Sequence, residues 1–132
     1  MYDWHVANPN DPVRLVGHSH GGNVAILITD KLAELGMDVE TLITIAAPIR
    51  EYKLETSVGQ FIHVYNNWDV VQTGGGALKK GIVTFKRKFQ EAENIEVKLP
   101  RWRRNNMLGV SNHSYMHSSI KVWKKYIEPR LK

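Results

Sequence analysis

A serine between two glycines is the part of this sequence with the clearest chemistry. The stretch Gly17-His18-Ser19-His20-Gly21 follows an apolar run at Val13–Val16 and precedes an apolar pattern of helical spacing. A strand that turns sharply into a helix at such a serine strains its backbone and presents its hydroxyl to solvent, at the helix N-terminus. Nucleophilic attack on an acyl carbonyl requires that presentation. We expect both glycines because side chains would collide across the turn; an ordinary glycine-rich turn is the alternative.

The elements that must position this serine are a mixture of strands and helices. A helix is predicted after the serine, and two further apolar strands follow before a last helix closes the chain. This order predicts the α/β class, a mostly parallel sheet with flanking helices and right-handed crossovers. The predicted elements are a strand at Val13–Val16, a helix from about Gly21 to Leu35, strands at Thr41–Ala47 and Phe61–Tyr65, and a helix over Ser118–Ile127.

Three finer expectations concern how these elements pack. Residues 1–11 are predicted to be an irregular lead-in, since Asn-Pro and Asp-Pro pairs favour turns. The runs Ile82–Phe85 and Ile95–Leu99 are expected to pair as a hairpin at the sheet edge. The first long helix is expected to bury one stripe at helical spacing, formed by Val24, Ile28, Leu32 and Leu35.

The length and composition limit the class of protein. A chain of 132 residues with 42% hydrophobic residues supports a single domain. No apolar run reaches the roughly 20 residues of a membrane span, and no signal peptide is visible, so the compartment is undetermined, with the cytoplasm as the default. The chain has no cysteine, which excludes disulfides, thiolate metal sites and cysteine nucleophiles.

The positive charge is concentrated in one segment. Between Lys79 and Arg104 there are nine basic and three acidic residues, a net +6 where the whole chain carries +5. Such a segment fits an anionic membrane surface or an acidic partner chain, and a solvated loop is the alternative. Nucleic-acid binding is not expected, because no recognition motif is present in this segment.

The stretch Leu15–Ala25 resembles the nucleophile elbow of α/β-hydrolase-fold lipases and esterases. The resemblance covers the chain from about Pro12 to its end and continues at Ala46-Ala47-Pro48, a small-small-Pro strand end of the kind that lipases carry. It implies a truncated α/β-hydrolase fold over residues 1–132, a single domain that corresponds to the C-terminal half of the fold and lacks its N-terminal strands.

The same resemblance implies an acid and a base, which follow the serine in the chain order of this fold. Asn66–Val71 resembles the lipase Asn-x-x-Asp-x-Val loop, which makes Asp69 the acid. The stretch from His113 to Trp123 resembles the His-Ser…Val-Trp pattern that leads some hydrolases into their final helix. On that alignment His113 is the base, on a loop before the helix. His117 is the alternative base, since only geometry decides the role.

The resemblance also implies an oxyanion hole that includes the backbone N–H of His20, the residue after the nucleophile. A second N–H normally comes from a loop after an earlier strand, and the dozen residues before Val13 offer no apolar strand. We therefore expect the elbow strand to be the first of the sheet, its edge exposed unless a homodimer partner or an upstream segment covers it. His18 cannot be the base, because its side chain should point away from the serine hydroxyl.

The function that these features predict is a serine hydrolase that cleaves carboxylic esters, an esterase or lipase with a phospholipase as one form, through a Ser-His-Asp triad. The substrate would be a small-molecule or lipid ester. No cofactor is expected, and no metal, because no His-Glu-x-x-His spacing occurs. The alternatives are a non-catalytic binding module on a degenerate hydrolase scaffold, and a lipid-attacking module of a larger bacterial toxin, which the Tyr65–Asp69 stretch resembles more loosely.

Overall fold

A four-stranded parallel sheet forms the centre of the protein. The computed structural model describes residues 2–49, 52–74, 78–79, 82–83, 87–100 and 110–132. The strands of the sheet are β1 (Val13–His18), β2 (Val39–Ile45), β3 (Gln60–Tyr65) and β6 (Glu93–Glu96), in the order β1-β2-β3-β6. A separate antiparallel ribbon pairs β4 (Leu78–Lys79) with β5 (Ile82–Val83). The α/β class with a parallel sheet is therefore confirmed.

Helices flank this sheet. They are α1 (Tyr2–Ala7), α2 (His20–Glu34), α3 (Val70–Gly74), α4 (Val110–Ser118) and α5 (Ile120–Val122). A π-helical turn at Trp123–Ile127 and a 3-10 turn at Glu128–Arg130 continue from α5. Among the described residues, the structure contains no candidate transmembrane helix.

The core has two clusters because side chains alternate across the buried strands. Leu42 and Phe61 belong to the cluster that α2 covers, together with Ile26. Ile43 and Ile62, one residue further along their strands, belong to the cluster that includes Met116 of α4 and Val122 of α5. Burial on both faces explains why the strands β2 and β3 are nearly continuous apolar runs, which made them easy to predict.

The strand register aligns the carboxyl ends of β1, β2 and β3. His18 pairs with Ile45, and Ile45 pairs with Val64. The residues that follow each strand therefore meet at one edge of the sheet. Ser19 donates its N–H to the Ile45 carbonyl (2.8 Å), and Ala46, whose φ is 49°, donates its N–H to the Val64 carbonyl (2.8 Å).

Two expectations about the elements were wrong. The lead-in contains helix α1, although turns do follow it. The expected edge hairpin does not form: β5 pairs with Leu78–Lys79, and β6 pairs in parallel with β3, while residues 84–85 lie outside the described residues. The parallel pairing has a physical reason, because it buries Val97 and Leu99 in the core cluster of Ile62.

The expected buried stripe of α2 was also wrong, except for Leu32. Val24, Ile28 and Leu35 are 42%, 39% and 50% exposed. The buried face is rotated about the helix axis relative to the expected stripe. It consists of Gly22, Asn23, Ala25, Ile26, Thr29 and Leu32. Gly22 sets this face, because a Cβ added there would lie 2.6 Å from the Cβ of Ala47. The helix approaches the sheet at that glycine and leaves a second apolar face exposed.

The strand β1 has a neighbouring strand on one side only among the described strands. The expectation that the elbow strand comes first and lies at the sheet edge is therefore met in this part of the chain. Val16 of β1 is 39% exposed, and the exposed apolar residues of α2 follow β1 directly in the chain. An open strand edge with apolar side chains beside it is a surface on which another strand can pair.

Candidate active site

Ser19 occupies the sharp turn between β1 and α2. Its φ of 54° and ψ of −130° lie in a region that costs a non-glycine residue about 1–3 kcal/mol. Gly17 makes the turn possible, because an added Cβ there would overlap the backbone carbonyl of Gly21. The expectation for Gly21 itself was wrong: a Cβ there would meet no atom within 4 Å. The strained elbow therefore depends on one of its two glycines.

The Ser19 side chain lies at the start of α2 but does not cap the helix. It makes no capping hydrogen bond, although the Ser19 carbonyl accepts the Gly22 N–H (2.9 Å). The first N–H groups of a helix have no partner within the helix and carry a partial positive charge. The backbone N–H of His20, the first residue of α2, is one of these groups. The side chain of His20 is exposed.

Asp69 and His113 form a buried pair. His113 Nδ1 and Asp69 Oδ2 are 2.7 Å apart, the Asp69 side chain is fully buried, and His113 is 8% exposed. The other carboxylate oxygen accepts the backbone N–H of Gln72 (3.0 Å). A carboxylate only accepts, so the imidazole of His113 carries its proton on Nδ1 when Asp69 is ionised, and Nε2 is then free to accept.

The loop that carries Asp69 is fastened to α4 twice. Asn112 donates from its side-chain amide to the Trp68 carbonyl (3.2 Å), beside the His113–Asp69 bond. The same loop is held internally by the Trp68 N–H, which donates to Asn66 Oδ1 (2.8 Å). Two adjacent residues of α4 thus contact two adjacent residues of the loop. His113 lies within helix α4, so the expectation of a loop position for it was wrong.

A polar network buried behind Asp69 was not found from the sequence. The Gln72 side-chain amide donates to the Ala47 carbonyl (3.1 Å) and lies 3.0 Å from His63 Nε2. His63 Nδ1 lies 2.7 Å from the Thr44 hydroxyl. Burial lowers the pKa of His63 to about 4, so the ring is neutral at pH 7. Gln72 fixes the backbone that binds Asp69, and a glutamine in a short helix carries no motif that could have marked it.

The ring of His18 contacts the candidate base, His113. Its Nε2 lies 3.3 Å from the His113 carbonyl oxygen, and its ring centroid lies 4.6 Å from that of His113. The ring centroid of His117 lies 4.1 Å from that of His18. Among the described residues, no hydrogen bond joins the Ser19 hydroxyl to His113. Such bonds are often long before substrate binds.

No group of three or more histidine, aspartate or glutamate side chains could hold a metal ion among the residues whose placement is described. The rings of His113 and His117 each pack on the ring of His18 in a tilted arrangement, with interplanar angles of 46° and 41°.

The sequence model of one protein family matches most of the chain. The family is described as the PGAP1-like alpha/beta domain, and the match covers residues 1–98. The matched part includes Ser19 and Asp69 and ends before His113. No curated protein and no solved structure matches the chain.

Proposed function

The chain belongs to the family of PGAP1-like alpha/beta domains, which have the α/β-hydrolase fold, and on that premise we propose that it is a serine hydrolase that cleaves carboxylic esters. The family establishes a hydrolase-type scaffold, and the ester chemistry is our inference. One observation carries it. The buried Asp69–His113 pair lies at the same sheet edge as the strained Ser19, since Ser19 follows β1, Asp69 follows β3, and His113 contacts His18 at the end of β1.

In the proposed reaction the Ser19 hydroxyl attacks the acyl carbonyl while His113 Nε2 takes its proton. Asp69 keeps the other ring proton on Nδ1 and stabilises the imidazolium that forms. His113 then donates the proton to the leaving alcohol, which leaves an acyl group on Ser19. A water molecule, deprotonated by the same imidazole, releases the acid and restores the serine. We assign the base to His113 over His117 because His113 is the one that is hydrogen-bonded to Asp69.

The oxyanion that develops during attack needs hydrogen-bond donors. We propose that the backbone N–H of His20 is one of them, because it stands at the N-terminus of α2 directly after the nucleophile. The Ser19 N–H is not available, since it donates to the Ile45 carbonyl (2.8 Å). The second donor would come from a segment that pairs with or packs beside β1.

The surroundings of Asp69 favour an ester with an apolar part. Trp68 and Val70 flank it in the chain, and each is 48% exposed. Exposed aromatic and aliphatic side chains beside a polar site bind the apolar portion of a ligand. Arg87 donates to the Asp69 carbonyl (3.4 Å), so part of the basic segment also adjoins the site. We propose a lipid or small-molecule ester substrate, with an anionic membrane surface as a binding partner.

A non-catalytic binding module is the second candidate, and the absence of a hydrogen bond between the Ser19 hydroxyl and His113 among the described residues favours it. Labelling with a fluorophosphonate separates the two. The hydrolase should be labelled and should lose the label in Ser19→Ala, while the control Ser57→Ala, an exposed serine in the connection before β3, keeps it. The variants that are labelled should also be the ones that hydrolyse a p-nitrophenyl ester. If the parent chain is neither labelled nor able to hydrolyse the ester, the hydrolase function is refuted and the non-catalytic binding module is retained.

A further inference from the structure

His18 bridges the strand that ends at the nucleophile and the helix that carries the proposed base. It is the last residue of β1, and Ser19 follows it directly. Its Nε2 lies 3.3 Å from the carbonyl oxygen of His113 in α4. This is the one hydrogen bond that joins β1 to α4 among the described residues. The other bonds of α4 described above lead to the loop after β3, which carries Asp69.

The partner atom determines which nitrogen of His18 carries the proton. A carbonyl oxygen only accepts, so Nε2 must be the protonated nitrogen of the neutral ring. Within the helix the His113 carbonyl is also positioned to accept the N–H of residue 117, four residues on. A carbonyl oxygen has two lone pairs, so the second one remains for His18. The contact is therefore compatible with an unbroken α4.

The surroundings of His18 keep its ring neutral. Burial, and then the positive charges that His117 and His113 can carry, lower the pKa of His18 to about 4. The bond to the His113 carbonyl and the carboxylate of Asp69 act in the opposite direction and are smaller. At neutral pH the ring thus offers one N–H and no charge. A neutral neighbour suits a base that becomes positively charged in each catalytic cycle, because a second charge at 4.6 Å would repel it.

We propose that His18 is a positioning residue, whose Nε2–H holds the backbone of His113 and so fixes the base relative to the serine elbow. The proposal rests on the hydrolase function proposed above. His18 need not contact substrate for this role. It acts through His113. The hydrogen bond to Asp69 orients the His113 imidazole, while the hydrogen bond from His18 fixes the His113 backbone. A displacement of about 1 Å between reacting groups costs about 10²-fold in rate.

Three substitutions separate the hydrogen bond from the packing of the ring. His18→Gln keeps an N–H donor near the position of Nε2, His18→Phe keeps a ring without a donor, and His18→Ala removes both. For a soluble p-nitrophenyl ester we expect the Gln variant to retain most of the parent kcat. The Phe variant should lose about 10–100-fold in kcat with an unchanged KM, at a melting temperature close to that of the Gln variant. A Phe variant as active as the Gln variant would overturn the proposal.

A second measurement does not depend on activity. Two-bond ¹H–¹⁵N NMR spectra of the parent chain report the tautomer of each histidine. We expect His18 to be the Nε2–H tautomer, without titration between about pH 6 and about pH 8. An Nδ1–H tautomer, or an imidazolium in that range, would overturn the proposal even if the variants fail to fold. A parent chain with this tautomer and no labelling by fluorophosphonate would instead refute the hydrolase function and leave the contact of His18 intact.

Discussion

Replacing Asp69 with asparagine tests the proposed mechanism more sharply than removing the side chain. The amide is nearly isosteric, so its oxygen can still accept the Gln72 N–H, which now lies 3.0 Å from Asp69 Oδ1. The NH₂ group then faces His113 Nδ1 in place of the oxygen at 2.7 Å. Because NH₂ only donates, Nδ1 must accept, and the ring proton moves to Nε2. A base with Nε2 protonated cannot take the proton of Ser19.

The size of the loss follows from what the variant must overcome. Turning the amide around would restore the Nδ1–H tautomer, but the NH₂ would then face the Gln72 N–H and leave a buried donor without a partner. That costs about 1–3 kcal/mol, or about 5- to 150-fold in rate. Losing the carboxylate that stabilises the imidazolium adds to this. Together they should approach the loss of about 10⁴-fold in kcat that the same change causes in serine proteases.

The assay is ester hydrolysis with the rate of fluorophosphonate labelling measured beside it. Folding of Asp69→Asn should survive, because the change buries no new charge and removes a carboxylate that is fully buried. The matched control is Asp30→Asn in α2, whose carboxylate accepts the N–H groups of residues 55 and 56 and does not contact the site. A folded Asp69→Asn variant that loses less than about tenfold in kcat would refute the assigned role.

Three further outcomes are expected. His113→Ala should lower ester turnover by several orders of magnitude and His117→Ala much less; the reverse ranking in steady-state kinetics would move the base to His117. Gly17→Ala should destabilise the fold by about 1–3 kcal/mol, whereas Gly21→Ala, with open space at its Cβ, should leave the melting temperature unchanged or raised. Residues 1–132 should dimerise or aggregate through the β1 edge and hydrolyse esters weakly, since the His20 N–H is the one oxyanion donor that we assign among the described residues, and the lack of a second donor costs about 10²–10³-fold. Sedimentation and turnover that show a fully active monomer would contradict this.

The local features of the fold were predictable because each is encoded in a few adjacent residues. The apolar run before Ser19 and the helical pattern after it specify a strand, a turn and a helix without reference to the rest of the chain. The apolar runs of β2 and β3 are equally local, and the helix α2 between β1 and β2 implies the parallel pairing of those two strands. Asp69 was proposed as the acid because the loop around it resembles a known motif, and in the structure it lies 2.7 Å from His113 Nδ1.

What could not be predicted depends on contacts between distant residues. Helix α2 has two apolar faces, and the one that is buried was decided by the close approach of Gly22 to Ala47, 25 residues on. The strand β6 pairs with β3 although the chain between them includes the β4–β5 ribbon. Gln72 and His18 carry no motif, and their part in the site follows from atoms up to 95 residues away.

The three histidines at the site share an electrostatic constraint that distinguishes their roles. The His18 ring lies 4.6 Å from that of His113 and 4.1 Å from that of His117, so a proton gained by one opposes a proton on its neighbours. His18 is neutral at pH 7, because burial and the neighbouring histidines lower its pKa to about 4. His113 Nδ1 lies 2.7 Å from the buried carboxylate of Asp69. In the proposed reaction the positive charge forms on the ring that is hydrogen-bonded to Asp69, and a neutral His18 beside that ring adds no repulsion.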